Sequence, residues 1–133
     1  MGVSLWLPPG AFPPTASTQL AQLPGTLAAF WRYPSSMVNG NRIMRAAFRA
    51  HPKEPHWYLQ LLAVEPSAQR SGVGAALMAP TIARIDDEHL PAYLETQNEE
   101  NVAYYARYRF SLAHRLEPVE GAPPLLALRR EAT

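Results

Sequence analysis

Apolar positions along the chain fall into short runs with two different periods. The longest run free of helix breakers is His56 to Val64 (HWYLQLLAV), whose aromatic, β-branched and aliphatic residues predict a strand buried on both faces. Pro66 and Ser67 end it, and Val73, Leu77, Met78, Thr81, Ile82 and Ile85 then recur at helical spacing from Gly72 to about Asp87. Pro80 interrupts that stripe, which predicts a kink or an exposed side on which the lost hydrogen bond meets water. Ala92 to Thr96 reads as the next strand. Asn98 reads as the N-cap of a helix from Glu99 to Tyr108, with Glu99 and Glu100 placed where carboxylates suit the helix dipole. Phe110 to Leu116 and Leu125 to Arg129 read as two final strands.

Upstream, Gly2 to Leu7 reads as a strand closed by Pro8-Pro9-Gly10. Leu20, Leu23, Leu27, Phe30 and Trp31 lie at helical spacing across a Pro24-Gly25 break, and Tyr33 to Gly40 reads as loop. Asn41 is a candidate N-cap for a helix to Ala50, with Ile43, Met44, Ala47 and Phe48 on one side and Arg42, Arg45 and Arg49 on a solvated other side. This order predicts an α/β fold, a mixed sheet with helices following its strands. The expectation is a single domain over residues 1–133, in which residues 11–55 form a helical insertion between two strands. In open sheets of this kind ligands bind at strand ends where neighbouring connections diverge, and residues 69–74 sit at such an end.

A length of 133 residues suits one hydrophobic core, and 47% hydrophobic with 17% charged residues is a globular composition. Twelve Lys and Arg against 11 Asp and Glu leave a net charge of +1, which gives no footprint for nucleic acid or an anionic membrane. The absence of Cys excludes disulfides, thiolate metal sites and a Cys nucleophile. No apolar run approaches the roughly 20 residues that span a bilayer, and no basic start precedes an apolar signal stretch. A cytoplasmic protein is expected. The four His show no metal-ligand spacing with carboxylates, so no metal is expected, and no Ser-His-Asp grouping can be argued.

The chemistry concentrates after the central strand, at Gln69-Arg70-Ser71-Gly72-Val73-Gly74. A strand, a glycine turn and a helix start make an anion cradle, because the glycines let backbone approach closely and the first N–H groups of the helix lack partners. No Lys follows the glycines, which excludes the Walker loop, and Leu77 stands where the dinucleotide fingerprint needs its third glycine. The wider pattern from Val64 to Gly74, V-x-P-x-x-Q-x-x-G-x-G, resembles the acyl-CoA pyrophosphate loop of the GNAT superfamily of N-acetyltransferases. Residues 98–110, NEENVAYYARYRF, resemble that family's motif of a helix opened by Asn, a Tyr near its end, and Gly-Phe. Tyr105 falls on the Tyr and Phe110 on the Phe, while Arg109 replaces the usual Gly, so the turn must avoid positive φ or be strained. The pieces LWLPPG, HPKEPHWYL and PAYLE are similar to the puromycin-acetyltransferase-like branch.

The resemblance implies acetyl-CoA as co-substrate, lying between two central parallel strands that splay apart. It implies that the backbone of Leu62, Ala63 and Val64 pairs with the pantetheine amides. Gln69, Arg70, Ser71, Gly72, Val73, Gly74 and Ala75 then take the pyrophosphate, and Asn101 touches the pantetheine arm. Tyr105 is implied as the general acid that protonates the departing sulfur, whereas Tyr104 and Tyr108 read as core. No general base is identifiable: His56 and Glu65 are candidates, and Tyr58 stands where family members often place a Glu. A complete domain of the family opens with a strand, two helices and a strand before the element like Gly2–Leu7, so the expectation is an N-terminally truncated fold. Its apolar edge at Leu5, Trp6 and Leu7 would invite pairing with a second chain, giving self-association and weak or no transfer by the chain alone. The function expected is N-acetyl transfer to a small-molecule primary amine. The alternatives are a non-catalytic CoA-binding or interaction fragment, and an unrelated nucleotide-binding α/β module.

Overall fold

The structure, a computed structural model, describes residues 1–13 and 34–133, and the side chains of the first helix from Val38 onward. The helical stripe expected between Thr18 and Trp31 lies outside the described residues. Strands β1 (Gly2–Leu7), β2 (Trp57–Val64), β3 (Ala92–Thr96), β4 (Ser111–Leu116) and β5 (Leu125–Arg130) form one sheet in the order β1-β2-β3-β5-β4. The helices are α1 (Pro34–Ala50), α2 (Val73–Glu88) and α3 (Glu100–Ala106). β2 and β3 are parallel neighbours on either side of α2 in sequence, as expected, and the other neighbours are antiparallel. Among the described residues no helix is long and apolar enough to cross a membrane.

Strand alternation sends Trp57, Leu59, Ala92, Leu94 and Leu128 to one face, where Met78 and Ile85 of α2, with Tyr105 and Phe110, close the core. The opposite face carries Tyr58 and Tyr93, and α1 packs over it against β5. Three charged groups anchor the core edge. Trp57 donates its indole N–H to Glu88 at 2.7 Å, and the nearly buried Arg130 bonds the Tyr108 carbonyl at 2.8 Å and Asp86 at 2.6 Å.

Three expectations are corrected. β2 is not buried on both faces: Trp57 and Leu59 are buried, but Gln60, Leu61 and Ala63 are exposed, because a slip in the pairing with β1 at Gln60 turns Leu61 and Ala63 away from the face that Leu59 shares with α2. The loop expected from Tyr33 to Gly40 is helical from Pro34, since proline suits a first helical position where its missing N–H has no partner to lose. Met44 and Phe48 do not share the buried side with Ala47; both are exposed, and the covered stripe runs through Ile43, Ala46, Ala47 and Ala50. Pro80 meets the expectation of an exposed side, because α2 continues through it with Ala76, whose carbonyl loses its partner, also exposed.

Candidate functional site

The site begins where β2 and β3 part. Their register runs Trp57↔Ala92, Tyr58↔Tyr93 and Leu59↔Leu94, then ends, although both strands continue to Val64 and Thr96. On the other side of β2, the pairing with β1 slips between Leu5↔Leu61 and Trp6↔Leu59, which leaves Gln60 as a bulged extra residue. A bulge re-aims the residues beyond it. Leu59 faces the core, and Leu62 and Val64 then face the same side as the α2–α3 cleft, while Leu61 is exposed. The splay and bulge together leave backbone groups of β2 without a β3 partner beside an open cleft of about 570 Å³.

One wall of the cleft is the turn into α2. Gln69 folds back to donate its side-chain N–H to the Val64 carbonyl at 3.1 Å, and Ser71 donates to the Ala68 carbonyl at 2.5 Å, which fixes the loop on the end of β2. Arg70 and Gly72 have φ of 61° and 86°, so this turn needs left-handed residues and Gly72 supplies one without steric cost. The first helical bond runs from Ala76 N–H to the Gly72 carbonyl at 3.0 Å. The N–H groups of Val73, Gly74 and Ala75 therefore have no acceptor within α2. Gly74 is where the two walls nearly touch: a Cβ there would lie 2.6 Å from the Tyr104 hydroxyl oxygen.

The other wall is α3. Asn98 accepts the Glu100 N–H at 3.0 Å, and Asn101 donates to the Thr96 hydroxyl at 2.9 Å, tying the helix to the end of β3. The helix is shorter than expected and ends at Ala106, because Phe110 N–H turns back to the Tyr105 carbonyl at 3.3 Å. That closure puts Arg109 at φ 69°, the strained alternative of the two anticipated, at about 1–2 kcal/mol for a residue with a Cβ.

Of the residues expected at the cofactor, Leu62, Val64, Gln69, Arg70, Gly72, Gly74, Ala75, Asn101 and Tyr105 line this cleft. Ala63, Ser71 and Val73 do not: Ala63 alternates to the opposite face, Ser71 is turned toward Ala68, and Val73 packs toward Gly2. Tyr104 and Tyr108 pack against the core, as expected, but are not closed in it. They are half-buried, line the cleft, and hold their hydroxyls 3.5 Å apart. Asn101, Tyr104, Tyr105 and Tyr108 share one stripe at spacings of three and four, a periodicity that could have placed them together from sequence. Arg107 was also missed; it lies at the rim with its guanidinium 6.0 Å from the Tyr104 ring, so two arginines, Arg70 and Arg107, border the cleft. Tyr105 is buried against Phe110, and burial followed by the neighbouring Tyr108 raises its pKa above the usual 10.0; Tyr104 is raised as well, chiefly by burial. Of the two candidate bases, Glu65 is exposed, whereas His56 is buried on a separate cluster with His51.

The residues present fit an acyl-CoA: N–H groups at a helix start with no acceptor in the helix, a glycine whose Cβ would fill the gap, and arginines beside an open strand edge. The profile of the acetyltransferase (GNAT) family matches residues 14–110, well over half of the chain. Among solved structures, the chain is similar to the histone acetyltransferase HPA2 and related acetyltransferase from Corynebacterium glutamicum. The identity is 25% and the TM-score 0.63, over 99% of this chain and 57% of that one. It also shares its fold with the ribosomal-protein-S18-alanine N-acetyltransferase from Escherichia coli, at 22% identity and TM-score 0.51 over 59% of this chain and 55% of that one. A third likeness of fold is to Ard1 from Thermoplasma volcanium, at 24% identity and TM-score 0.50 over 59% and 55% of the two chains. The chain thus spans a little more than half the length of these solved relatives. With the parallel splay, the bulge and the glycine turn in place, the chain belongs to the acetyltransferase (GNAT) family.

Proposed function

We propose that this chain binds acetyl-CoA in the cleft between β2, the α2 turn and α3, and transfers the acetyl group to the primary amine of a small molecule. The observation that carries this reading is the splay after Leu59 and Leu94, bordered by a glycine turn whose first N–H groups have no acceptor within α2. The N–H groups of Val73, Gly74 and Ala75, with Gln69, Ser71 and Gly72 shaping the turn, hold the pyrophosphate. Arg70 and Arg107 add charge-assisted contact at the rim. The Leu62–Val64 backbone, left open by β3, pairs with the pantetheine amides, and Asn101 borders the arm. When bound, acetyl-CoA supplies the activated acetyl group. The pieces LWLPPG, HPKEPHWYL and PAYLE support the puromycin-acetyltransferase-like branch and so a small-molecule acceptor.

Tyr105 donates its hydroxyl to the sulfur as negative charge develops there. An ordinary tyrosine near 10 already transfers a proton uphill to a thiolate near 8.5, by about 2 kcal/mol. Burial raises Tyr105 further, so it cannot protonate a free thiolate readily. Its contribution is a preorganised hydrogen bond, and its proton moves only as the amine's proton replaces it. The test is turnover of acetyl-CoA with a panel of primary amines by wild type and Tyr105→Phe. The expected result is a loss of about 100-fold in kcat with acetyl-CoA affinity nearly unchanged. Equal kcat in a folded variant removes Tyr105 from the mechanism, and absence of acetyl-CoA binding by wild type removes the function.

A further inference from the structure

The face of the sheet opposite the cleft carries a buried chain of titratable groups that the family motifs do not mark. His51, just beyond α1, is stacked on Phe12 at 3.7 Å between ring centroids, with Tyr58 of β2 and Tyr93 of β3 edge-on at 4.7 and 4.9 Å. Its Nε2 lies 2.8 Å from His56 Nε2, and its Nδ1 lies 3.5 Å from Glu95 Oε1, with side-chain exposures of only 4% for His51 and 12% for Glu95. His56 Nδ1 lies 2.7 Å from the Glu54 carbonyl oxygen. Glu95 is the first residue of β3 after the last pair with β2, so it stands at the fork of the splay.

The proton positions along this chain follow from the atoms. A carbonyl oxygen only accepts, so His56 Nδ1 carries a hydrogen. Burial holds His56 below its ordinary pKa, so its Nε2 is a lone pair that accepts the His51 Nε2 hydrogen. That assignment leaves His51 Nδ1 as a second lone pair aimed at a carboxylate oxygen, and it is a buried nitrogen without a hydrogen-bond partner among the described residues. The gap attracts only when one proton sits in it. Tyr58 and Tyr93 cannot supply that proton, because burial and the Glu95 carboxylate both raise them. Arg129 of β5 is held by Glu54 and Glu131. At the far end, His56 borders a surface hollow of about 140 Å³ that Glu54 and Lys53 also line.

We propose that Glu95 is the general base for the acceptor and that His51 and His56 carry its proton to the surface hollow, an inference that rests on the acetyl-transfer reading. An acceptor reaches the site as an ammonium. One N–H proton moves to the Glu95 carboxylate, and the freed nitrogen pair bonds to the acetyl carbon. The C–S bond breaks with its electron pair on sulfur, and a second N–H proton ends on that sulfur. The products are the amide, the free thiol of CoA and one released proton. That proton passes from Glu95 to His51 Nδ1, the His51 Nε2 proton passes to His56 Nε2, and the His56 Nδ1 proton passes to water in the hollow.

The experiment combines acetyl-CoA calorimetry, amine turnover across pH 6 to 10, and long-range nitrogen–proton NMR of the histidine rings, all on the full chain. Glu95→Gln should keep acetyl-CoA affinity within about twofold and lose about 100-fold in kcat/KM at pH 7. It should approach wild type once the pH exceeds the pKa of the amine, because a neutral acceptor needs no base. His51→Gln should show the same recovery with a smaller loss, and Glu95→Asp serves where Gln does not fold. A loss that is the same at every pH, or no loss, overturns the base. In wild type without any ligand, the rings should show hydrogen on His56 Nδ1 and His51 Nε2; the opposite tautomers overturn the relay whatever the activity. Failure of wild type to bind acetyl-CoA sinks the function reading instead, and leaves the tautomers to decide the relay.

Discussion

Replacing Gly74 by alanine should destabilise the fold through a single atom, and removing that atom should restore it. The added Cβ lies 2.6 Å from the Tyr104 hydroxyl oxygen, against the 3.4 Å at which ordinary contact begins. The hydroxyl must retreat by roughly 0.8 Å. It has little room to do so, because the Tyr104 ring is edge-on to Tyr105 at 5.1 Å and tilted against Tyr108 at 5.6 Å. Overpacking of this size costs about 1–3 kcal/mol, and the better helix propensity of alanine offsets less than 1. We therefore expect Gly74→Ala to cost about 1–2 kcal/mol. In a Tyr104→Phe background the nearest atoms become the ring Cζ at 3.6 Å and Val64 Cγ2 at 3.8 Å, both ordinary contacts, so the same substitution should be neutral or slightly stabilising. Tyr104→Phe alone gives up only a 3.5 Å hydroxyl contact with Tyr108 and should cost less than about 1 kcal/mol. Urea unfolding of the four proteins gives the coupling directly, with an expected value of about 1–2 kcal/mol. Additivity within about 0.5 kcal/mol would show that the walls of the cleft do not meet at Gly74.

Three further outcomes follow from the same geometry. Arg109→Gly should raise stability by about 0.5–1 kcal/mol in urea unfolding, since φ 69° favours glycine by more than its extra unfolded-state entropy costs; a loss would show that the Arg109 side chain matters more than its backbone. Asp86→Ala should cost about 2–3 kcal/mol, because it strands an Arg130 guanidinium that is 2% exposed, whereas Asp86 itself is partly solvated; a change below 0.5 kcal/mol would show that water or the Tyr108 carbonyl suffices. Burial, then the nearby His51, hold His56 below its ordinary 6.5 in the fold, so the unfolded chain binds that proton first as the pH falls. Its contribution to stability is present above pH 6.5 and is lost as the pH drops toward the folded value. His56→Gln should flatten the stability curve between pH 7 and 5, and an unchanged slope would place His56 in water.

What could be read from residues alone was whatever depends on local pattern. The glycine turn, the run of Ala92–Thr96 and the parallel neighbourhood of β2 and β3 follow from strand–turn–helix periodicity and short-range backbone rules. The bulge at Gln60 was not legible, because it is a register slip between two strands more than 50 residues apart and leaves no mark in either sequence. It is also why Gln60, Leu61 and Ala63 are exposed in a run that reads as wholly buried. The start of α1 at Pro34 was missed because Ser35, Ser36 and Gly40 read as loop residues, although Pro34 suits a first helical position. The His51–His56–Glu95 chain joins three segments whose proximity is set by the sheet and the α1 exit, so no spacing announces it.

Everything proposed for this chain depends on acetyl-CoA binding in the cleft between β2, the α2 turn and α3. The most direct measurement is a titration of the full chain with acetyl-CoA followed through its backbone amide resonances. Acetyl-CoA should give saturable shifts at Leu62 to Val64, at Arg70 to Ala76 and along Asn98 to Tyr108, with little change on β4, and ATP or NAD at equal concentration should give none. Shifts confined to other surfaces, or no saturable response at millimolar acetyl-CoA, would contradict it.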